Sequence, residues 1–347
     1  MSAPSDTVDI TVIGAGPVGL ATAFWAGMRQ ASCRIIDSLP EIGGQCTTLY
    51  PEKWIFDVPG HPRVLARDLV AQLREQALEQ FDVPVHLECT AERIEYDGDE
   101  VVLHTDDPTQ PELRSRTVIV AGGHGAFEPK RLPVSDVDMT PWEGIGAHYL
   151  VGDKNEFAGK RVVIVGGGDS AFDWVVNLVE TASEVTLVHR RDGFRAHEAT
   201  VAEVMGHVET GRVGLKVPYV IRQVHGNGAI EAVELHHAAD DSIERLECDA
   251  VLLQLGFVTK LGPLKEWGFE IEKNALKVDP LMRTNLERVW ACGDISTFDG
   301  KLKLIATGFA ESAIAVAQAV HHIRPETKLQ PAYSTNTGVP GAVAGQP

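Results

Sequence analysis

Two glycine-rich turns in the chain have the residue types and spacing that hold the phosphates of a dinucleotide. They are Gly14-x-Gly16-x-x-Gly19, which contains Pro17, and Gly166-x-Gly168-x-x-Ala171, which contains Asp169 and Ser170. In such a turn the first glycine allows the sharp bend, the second lets the backbone reach the pyrophosphate, and the third small residue allows close packing. The N-terminus of the following helix then offers N–H groups to the phosphates. A glycine-rich turn without a ligand is the alternative.

The residue that ends the next strand indicates which nucleotide each turn accepts. After the first turn this residue is Asp37, and after the second it is His189, which Arg190, Arg191 and Arg195 follow. A carboxylate accepts hydrogen bonds from ribose hydroxyls and repels a 2′-phosphate, whereas arginine binds that phosphate. We therefore expect FAD at the first turn and NADPH, in preference to NADH, at the second. The alternative for the arginines is a solvated basic strand end.

Both turns require a strand before them and a helix and a second strand after them. Apolar runs at 8–13, 33–36, 161–165 and 184–188 predict the strands, and helices are expected from about 17 to 28 and from the second turn to about 180. The two units are offset by 152 residues, from Gly14 to Gly166 and from Asp37 to His189. The sequence therefore predicts an α/β protein with two Rossmann-like dinucleotide-binding domains.

Segments outside the two repeats support a flavin site. The apolar strand at 117–120 leads into Ala121-Gly122-Gly123, and a second apolar strand at 250–255 precedes Gly256, so both are candidate crossings between the domains. Near the C-terminus, a strand ends in Gly293-Asp294, and we expect Asp294 to face the ribityl chain of the flavin. The apolar helix expected after Gly308 would direct its positive N-terminus at the flavin ring.

Composition limits the classes of protein. A length of 347 residues favours two domains, and a net charge of −18 argues against nucleic acid or an anionic membrane as a main partner. The polar N-terminus lacks the features of a signal peptide, and no apolar run approaches the ~20 residues of a membrane span. Five scattered cysteines indicate a reducing compartment, so a cytoplasmic protein without a metal site is expected.

The chain resembles the thioredoxin-reductase-like ferredoxin–NADP reductases, which are two-dinucleotide-binding-domain flavoproteins, over nearly its whole length. Besides the glycine turns, the resemblance is carried by Gly43-Gly44-Gln45, Tyr50-Pro51-Glu52-Lys53, Gly125-Ala126-Phe127, Phe194-Arg195-Ala196-His197-Glu198 and Cys292-Gly293-Asp294. It implies a homodimer and a discontinuous FAD domain, 1–120 with 259–347, into which an NADPH domain, 121–258, is inserted.

The resemblance also implies individual roles at the flavin. Gly44, Gln45 and Phe127 would lie close to the cofactor. Tyr50 would stack on one face of the flavin ring. The C-terminal extension would cover the other face, with Tyr333 as the candidate ring and Thr335 beside it; a tail that does not reach the flavin is the alternative.

The cysteine pattern separates the chain from related thiol reductases. The segment 147–153, which would carry a Cys-x-x-Cys in a thioredoxin reductase, has no cysteine, and Cys46 lacks the partner found in glutathione-reductase relatives because Pro51 takes that place. Electrons are therefore expected to leave the flavin directly. The implied reaction is hydride transfer between NADPH and FAD, followed by single-electron transfer to ferredoxin or flavodoxin.

Docking of an acidic carrier on this acidic chain would need a local basic patch. The basic residues in segments expected near the flavin are Lys53, Arg63, Arg67, Lys301 and Lys303. Three other functions stay open at this point: an NADPH oxidase or diaphorase, a flavin monooxygenase, and a non-catalytic, nucleotide-sensing flavoprotein.

Overall fold

A computed structural model describes residues 7–132, 137–240 and 242–340, and the side chains of 126–128, 258 and 259 also lie outside what it describes. The chain divides into two compact units. Unit one comprises Met1–Phe127 and Thr259–Pro347, and unit two comprises Glu128–Val258. The sequence-based boundaries lie at 120 and 258, and the nucleotide assigned to each unit stays a prediction.

The first segment of unit one alternates strands and helices. Its elements are β1 (Val8–Ile13), α1 (Pro17–Met28), β2 (Cys33–Ile36), α2 (Gln45–Thr48), β3 (Trp54–Ile55), β4 (Val64–Leu65), α3 (Ala66–Arg74) with a π-helical turn (Glu75–Glu79), β5 (Val85–His86), β6 (Ala91–Asp97), β7 (Glu100–Thr105) and β8 (Glu112–Val120). Strands β9 (Ala126–Pro129) and, later, β18 (Phe257–Lys260) contain the two chain crossings between the units, and they pair with each other.

Unit two contains a second α/β arrangement. Its elements are a 3-10 helix (Thr140–Trp142), β10 (Ala147–His148), a 3-10 helix (Lys154–Phe157), β11 (Arg161–Val165), α4 (Asp169–Leu178), β12 (Glu184–Val188), α5 (Glu198–Glu209), β13 (Val213–Lys216), β14 (Tyr219–Gly226), β15 (Ile230–His237), β16 (Ile243–Glu247) and β17 (Ala250–Leu253).

The second segment of unit one completes that unit after β18. It contains a 3-10 helix (Gly262–Trp267), β19 (Ile271–Glu272), β20 (Ala275–Lys277), β21 (Val289–Ala291), a 3-10 turn (Gly293–Ile295), β22 (Ser296–Thr297), α6 (Ile305–Ile323) and α7 (Ser334–Thr337). None of the described helices combines the length and hydrophobicity needed to cross a membrane.

The main sheet of unit one has the strand order β5-β2-β1-β8-β7-β6, and β21 also pairs with β8. The strands β5, β2, β1, β8 and β21 run parallel, whereas β7 and β6 add an antiparallel hairpin at one edge. Ile10, Thr11 and Val12 of β1 are all fully buried, which shows that both faces of the sheet are covered along this strand. Helix α1 begins at Pro17, whose fixed φ and missing N–H suit the first helical position.

Unit two is built on a five-stranded parallel sheet with the order β10-β17-β11-β12-β13. One face packs on α4 and α5 through residues such as Phe172 and Leu178, and the other face packs on the antiparallel sheet β14-β15-β16. The predicted fold class, two Rossmann-like domains with one inserted into the other, is confirmed. The predicted strands at 33–36, 161–165 and 184–188 have the predicted bounds.

Candidate functional site

A cavity of about 570 Å³ opens in unit one at the carboxyl ends of the parallel strands. The residues that follow β1, β2 and β8 meet there, which is the edge where open α/β sheets bind their ligands. The predicted FAD-site residues that line it are Gly14, Gly16, Pro17, Asp37, Gly44, Gln45, Tyr50 and Asp294. These residues are far apart in the sequence, and the sheet topology brings them to one place.

The first glycine turn leaves a space that a ligand can fill. A side chain at Gly14, whose φ is +111°, would place its Cβ 2.5 Å from the carbonyl oxygen of Ala121. A Cβ at Gly19 would lie 1.8 Å from the carbonyl oxygen of Gly14, so this glycine permits the close helix–strand packing. At Gly16, by contrast, an added Cβ would meet no atom within 4 Å. The open side of Gly16 beside the N-terminus of α1 suits a pyrophosphate.

Asp37 lies immediately after β2, with its carboxylate oriented by two backbone groups. The nitrogen of Ala15 donates to Oδ2 at 2.6 Å, and the nitrogen of Leu39 donates to Oδ1 at 2.9 Å. Burial raises the pKa of Asp37 above its ordinary 3.8, although both hydrogen bonds oppose the shift. Each carboxylate oxygen has a second lone pair, so Asp37 retains acceptor capacity toward the cavity.

His124 is a member of this site that the sequence analysis missed. Its Nδ1 lies 3.0 Å from Nε2 of Gln45 and 3.4 Å from Oδ2 of Asp294. Burial lowers the pKa of His124 below its ordinary 6.5, and the charge of Lys303 adds to this while Asp294 opposes it. A neutral imidazole can accept a hydrogen bond from the Gln45 amide. The signal was present in the sequence, because His124 stands between the Gly122-Gly123 pair and Gly125.

Tyr50 and Cys46 lie side by side in the cavity wall. The Cys46 thiol donates to the Tyr50 hydroxyl at 3.8 Å, and burial raises the pKa of the thiol to about 11 and that of the phenol further still. All five cysteines of the chain are buried and free of disulfides. The site therefore holds a neutral phenol and a neutral thiol, and no dithiol.

The second glycine turn, in unit two, has the same construction. A Cβ at Gly166 would lie 2.5 Å from the carbonyl oxygen of Gln254 and 2.8 Å from Cβ of Ala171, whereas one at Gly168 would meet nothing within 4 Å. Asp169 is the first residue of α4, and its Oδ1 accepts from the nitrogen of His197 at 2.8 Å. Ser170 follows in the first turn of the helix.

A loop rich in arginine lies against this turn. The nitrogen of Arg195 donates to the carbonyl of Gly167 at 2.7 Å, and the His189 ring is so close that a Cβ at Gly167 would lie 2.3 Å from it. Burial lowers the pKa of His189, and Arg190, Arg195 and Arg191 add to this. Among the described residues, no carboxylate lies within ion-pair distance of these exposed arginines. Three guanidinium groups without protein counter-ions suit a phosphate ligand.

Gly19 lies within α1 and does not line the cavity, and three further predicted residues are not placed there. Tyr333 is 71% exposed and caps α7, which includes Thr335, and neither residue lines the cavity. The side chain of Phe127 lies outside the described part of the chain. Their contacts with the flavin therefore stay predictions.

The basic residues expected near the flavin differ in their availability. Lys301 is buried in an ion pair with Glu311, and Arg67 pairs with Glu52. Arg63 stacks over the half-exposed Trp54 ring, 4.7 Å from its centroid. Lys303 lines the cavity. Lys301 is thus unavailable for docking, because its ammonium group faces inward.

The cavity also includes residues that no motif predicted. They are chiefly Cys89–Ala91, at the start of β6, and Leu261–Leu264, after β18. Their positions depend on how distant segments close over the sheet, and their own sequences carry no local signal.

Comparison with known proteins relates this geometry to a family. Residues 8–319 match the pyridine nucleotide-disulphide oxidoreductases. A ferredoxin–NADP reductase from Thermus thermophilus is 46% identical over 338 residues, which cover 97% of this chain and 99% of that protein. A ferredoxin–NADP reductase 2 from Oceanobacillus iheyensis is 45% identical over 331 residues, which cover 95% of this chain and 98% of that protein.

Solved structures are similar in fold at lower identity. The thioredoxin reductase of T. acidophilum has a TM-score of 0.73 at 20% identity and covers 92% of this chain and 99% of its own. The thioredoxin reductase of Lactococcus lactis has a TM-score of 0.72 at 21% identity, with 92% and 100% of the two chains covered.

Proposed function

Because the chain belongs to the pyridine nucleotide-disulphide oxidoreductase family, we propose that it is an FAD-dependent ferredoxin–NADP reductase. The proposal rests on the pair of glycine turns and on the charges that follow the next strand of each. Asp37 follows β2, the strand after the first turn. Arginines with no carboxylate partner among the described residues follow β12, the strand after the second turn. Relatives at 44–46% identity over nearly the whole chain are named as ferredoxin–NADP reductases.

FAD would occupy the cavity of unit one. The N-terminus of α1 and the open face of Gly16 would hold its pyrophosphate, and Asp37 would accept from the adenosine ribose. Asp294 would accept from the ribityl hydroxyls, with Gly44 and Gln45 close by. Tyr50 would cover one face of the ring. The bound FAD would supply the redox chemistry, with hydride transfer from NADPH and single-electron transfer to a carrier.

NADPH would bind in unit two. Gly166 and Gly168 would let its pyrophosphate approach the N-terminus of α4. There the Asp169 carboxylate accepts a hydrogen bond from the backbone nitrogen of His197 and so fixes the loop that follows the arginines. The 2′-phosphate would lie among Arg190, Arg191 and Arg195, which selects NADPH over NADH.

The buried thiols separate this function from disulfide reduction. Burial raises the pKa of Cys33, Cys248 and Cys292 to about 12 each, so no described thiol is a ready nucleophile. Electrons therefore pass to the carrier without a protein dithiol. The carrier is ferredoxin, with flavodoxin as a related acceptor, and the working form is a cytoplasmic homodimer in which Tyr333 and Thr335 lie close to the flavin.

Steady-state electron transfer tests this function against its rivals. Purified protein with NADPH should reduce cytochrome c rapidly only when ferredoxin is added. Fast oxygen or quinone reduction without a carrier would support an oxidase or diaphorase instead. Bound flavin that NADPH does not bleach would point to a nucleotide sensor.

A further inference from the structure

Lys301 and Glu311 form a buried ion pair beside the FAD cavity. Both carboxylate oxygens of Glu311 lie 2.5 Å from the Lys301 ammonium nitrogen, and the side chains are only 5% and 7% exposed. Lys301 belongs to the loop before α6, whereas Glu311 lies within α6. Burying two charges costs solvation free energy, and well-packed apolar residues often replace such a pair without loss of stability. The stability of the fold alone therefore does not explain the pair.

Glu311 also holds the turn that carries Asp294. Its Oε2 accepts from the backbone nitrogen of Gly293 at 2.7 Å, and the hydroxyl of Ser296 donates to the Gly293 carbonyl at 2.8 Å. Gly293 has a φ of +75°, and on its other side a Cβ would lie 3.2 Å from the Val18 side chain of α1. The turn is thus fixed between α1 and α6 immediately before Asp294 enters the cavity wall.

Lys301 connects a second part of the wall to the same group. Lys303 and Leu304, two and three residues after it, line the cavity. The Lys301 ammonium also lies 3.3 Å from the hydroxyl of Ser296, which directly follows the Gly293 turn. One ion pair therefore joins the Asp294 turn, the 303–304 segment and helix α6.

We propose that Lys301 and Glu311 are positioning residues of the flavin site, an inference that rests on FAD binding in unit one. The pair fixes the direction of Asp294 and keeps the charge behind the cavity wall balanced. Each function predicts a separate effect, one on FAD affinity and one on the flavin midpoint potential.

The first experiment is a double-mutant cycle on FAD affinity, measured by adding FAD to the apoprotein. In E311Q an amide NH₂ replaces one carboxylate oxygen, so Lys301 loses one of its two acceptors and its counter-charge, and the hold on Gly293 is weakened. We expect E311Q and D294A each to weaken FAD binding about tenfold, as for a lost charged hydrogen bond. Because Glu311 acts through Asp294, E311Q should cause no further loss in the D294A background. Multiplicative losses would contradict the proposal.

The matched control is E270Q. Glu270 pairs with Lys277 in unit one, but both side chains are exposed and neither lines the cavity. We expect E270Q to leave FAD affinity unchanged. A tenfold loss in E270Q would mean that any weakened Lys–Glu pair in unit one has this effect, which would overturn the specific role of Lys301 and Glu311.

The second experiment measures the midpoint potential of the bound flavin at pH 8. E311Q leaves an unbalanced positive charge behind the wall and should raise the potential, because reduction adds negative charge to the flavin. K301M leaves a negative charge and should lower it, and the K301M/E311Q double variant should return near wild type. A purely structural role would move both single variants in the same direction, and that result would overturn the electrostatic part of the proposal.

If E311Q does not fold, E311D replaces it. The aspartate keeps the negative charge but its side chain is one methylene shorter, so we expect weaker FAD binding with an unchanged flavin midpoint potential. Wild-type affinity in E311D would contradict the positioning role. None of these measurements involves a carrier protein, so this inference and the proposed ferredoxin reduction can fail independently.

Discussion

The Oδ2 atom of Asp37 lies 2.6 Å from the backbone nitrogen of Ala15, within the first glycine turn. This hydrogen bond joins the end of β2 to the turn after β1, and Leu39 donates to the other carboxylate oxygen. The carboxylate is therefore oriented by the protein before a ligand is present. Such preorganisation lowers the entropy that ribose binding must overcome.

Replacing Asp37 should release FAD. In the proposed site each charged hydrogen bond from a ribose hydroxyl is worth ~1.5–3 kcal/mol, so D37A should weaken FAD binding by at least that amount. FAD occupancy after gel filtration and the dissociation constant measure the effect. The control is D68A, because Asp68 is exposed on α3 and forms only a long contact with Arg67. Full flavin occupancy in D37A would show that Asp37 does not contribute to FAD binding.

The pH at which FAD is lost should depend on Asp37. Burial raises the pKa of this carboxyl above 3.8, and ribose hydroxyls bind best to its ionised form. As the pH falls through the raised pKa, the carboxylate is protonated and FAD affinity should decrease, beginning at a higher pH than for an ordinary aspartate. Flavin fluorescence from pH 8 to pH 4 follows the release. D37N should bind more weakly and lack this transition; the same transition in D37N would assign it to another group.

The arginine cluster should decide between NADPH and NADH. Replacing Arg190 and Arg191 with alanine removes charged hydrogen bonds to the 2′-phosphate, at ~1.5–3 kcal/mol each, and leaves NADH almost unaffected. The measurement is the rate of flavin bleaching against the concentration of each nucleotide. R212A serves as control, because Arg212 pairs with Glu180 elsewhere in unit two. An unchanged preference for NADPH would contradict the assignment of Arg190 and Arg191 to the 2′-phosphate.

Alanine at two glycines of the first turn should affect different properties: G19A should lower stability, and G16A should lower FAD affinity. A Cβ at Gly19 would lie 1.8 Å from the Gly14 carbonyl oxygen, so G19A should lower the free energy of unfolding by ~2 kcal/mol or more. At Gly16 the added methyl meets no protein atom, and φ is −70°, so the G16A apoprotein should be within ~0.5 kcal/mol of wild type.

The same G16A methyl would occupy the proposed pyrophosphate position, and FAD affinity should therefore fall. Urea unfolding of the apoproteins and FAD titration separate the two effects. Wild-type FAD affinity in G16A would show that no phosphate approaches this glycine.

Thiol reagents should not inactivate the enzyme. The five cysteines are buried, and burial raises the pKa of Cys46 to about 11, so few thiolates exist at pH 7. Native protein treated with iodoacetamide should keep its NADPH-dependent activity and its unmodified mass, and urea-unfolded protein should be alkylated. Rapid loss of activity with one modified cysteine would restore a thiol mechanism.

The sequence predicted the parts of the fold and site that depend on local patterns. The glycine turns, the bounds of β2, β11 and β12, and the positions of Asp37 and Asp294 at the cavity follow from short motifs and apolar runs. The antiparallel sheet β14-β15-β16 was not predicted, because its half-exposed strands lack a continuous apolar run.

Side chains whose role depends on tertiary contacts were harder to predict. His124 reaches Gln45 and Asp294 only because three distant segments meet at the ends of the strands. Lys301 stood among candidates for a basic docking patch, and its burial depends on Glu311, which lies on the buried face of α6. Charge counts along a sequence do not distinguish a surface cation from a buried one.

The central claim is tested most directly under anaerobic conditions. NADPH is added to the purified flavoprotein while the flavin absorbance is followed, and oxidised ferredoxin or thioredoxin with a disulfide reporter is then added in separate cells. We expect NADPH to bleach the flavin and ferredoxin alone to restore its absorbance. Bleaching followed by reoxidation with thioredoxin, or with neither protein, would contradict the assignment of this chain as a ferredoxin–NADP reductase.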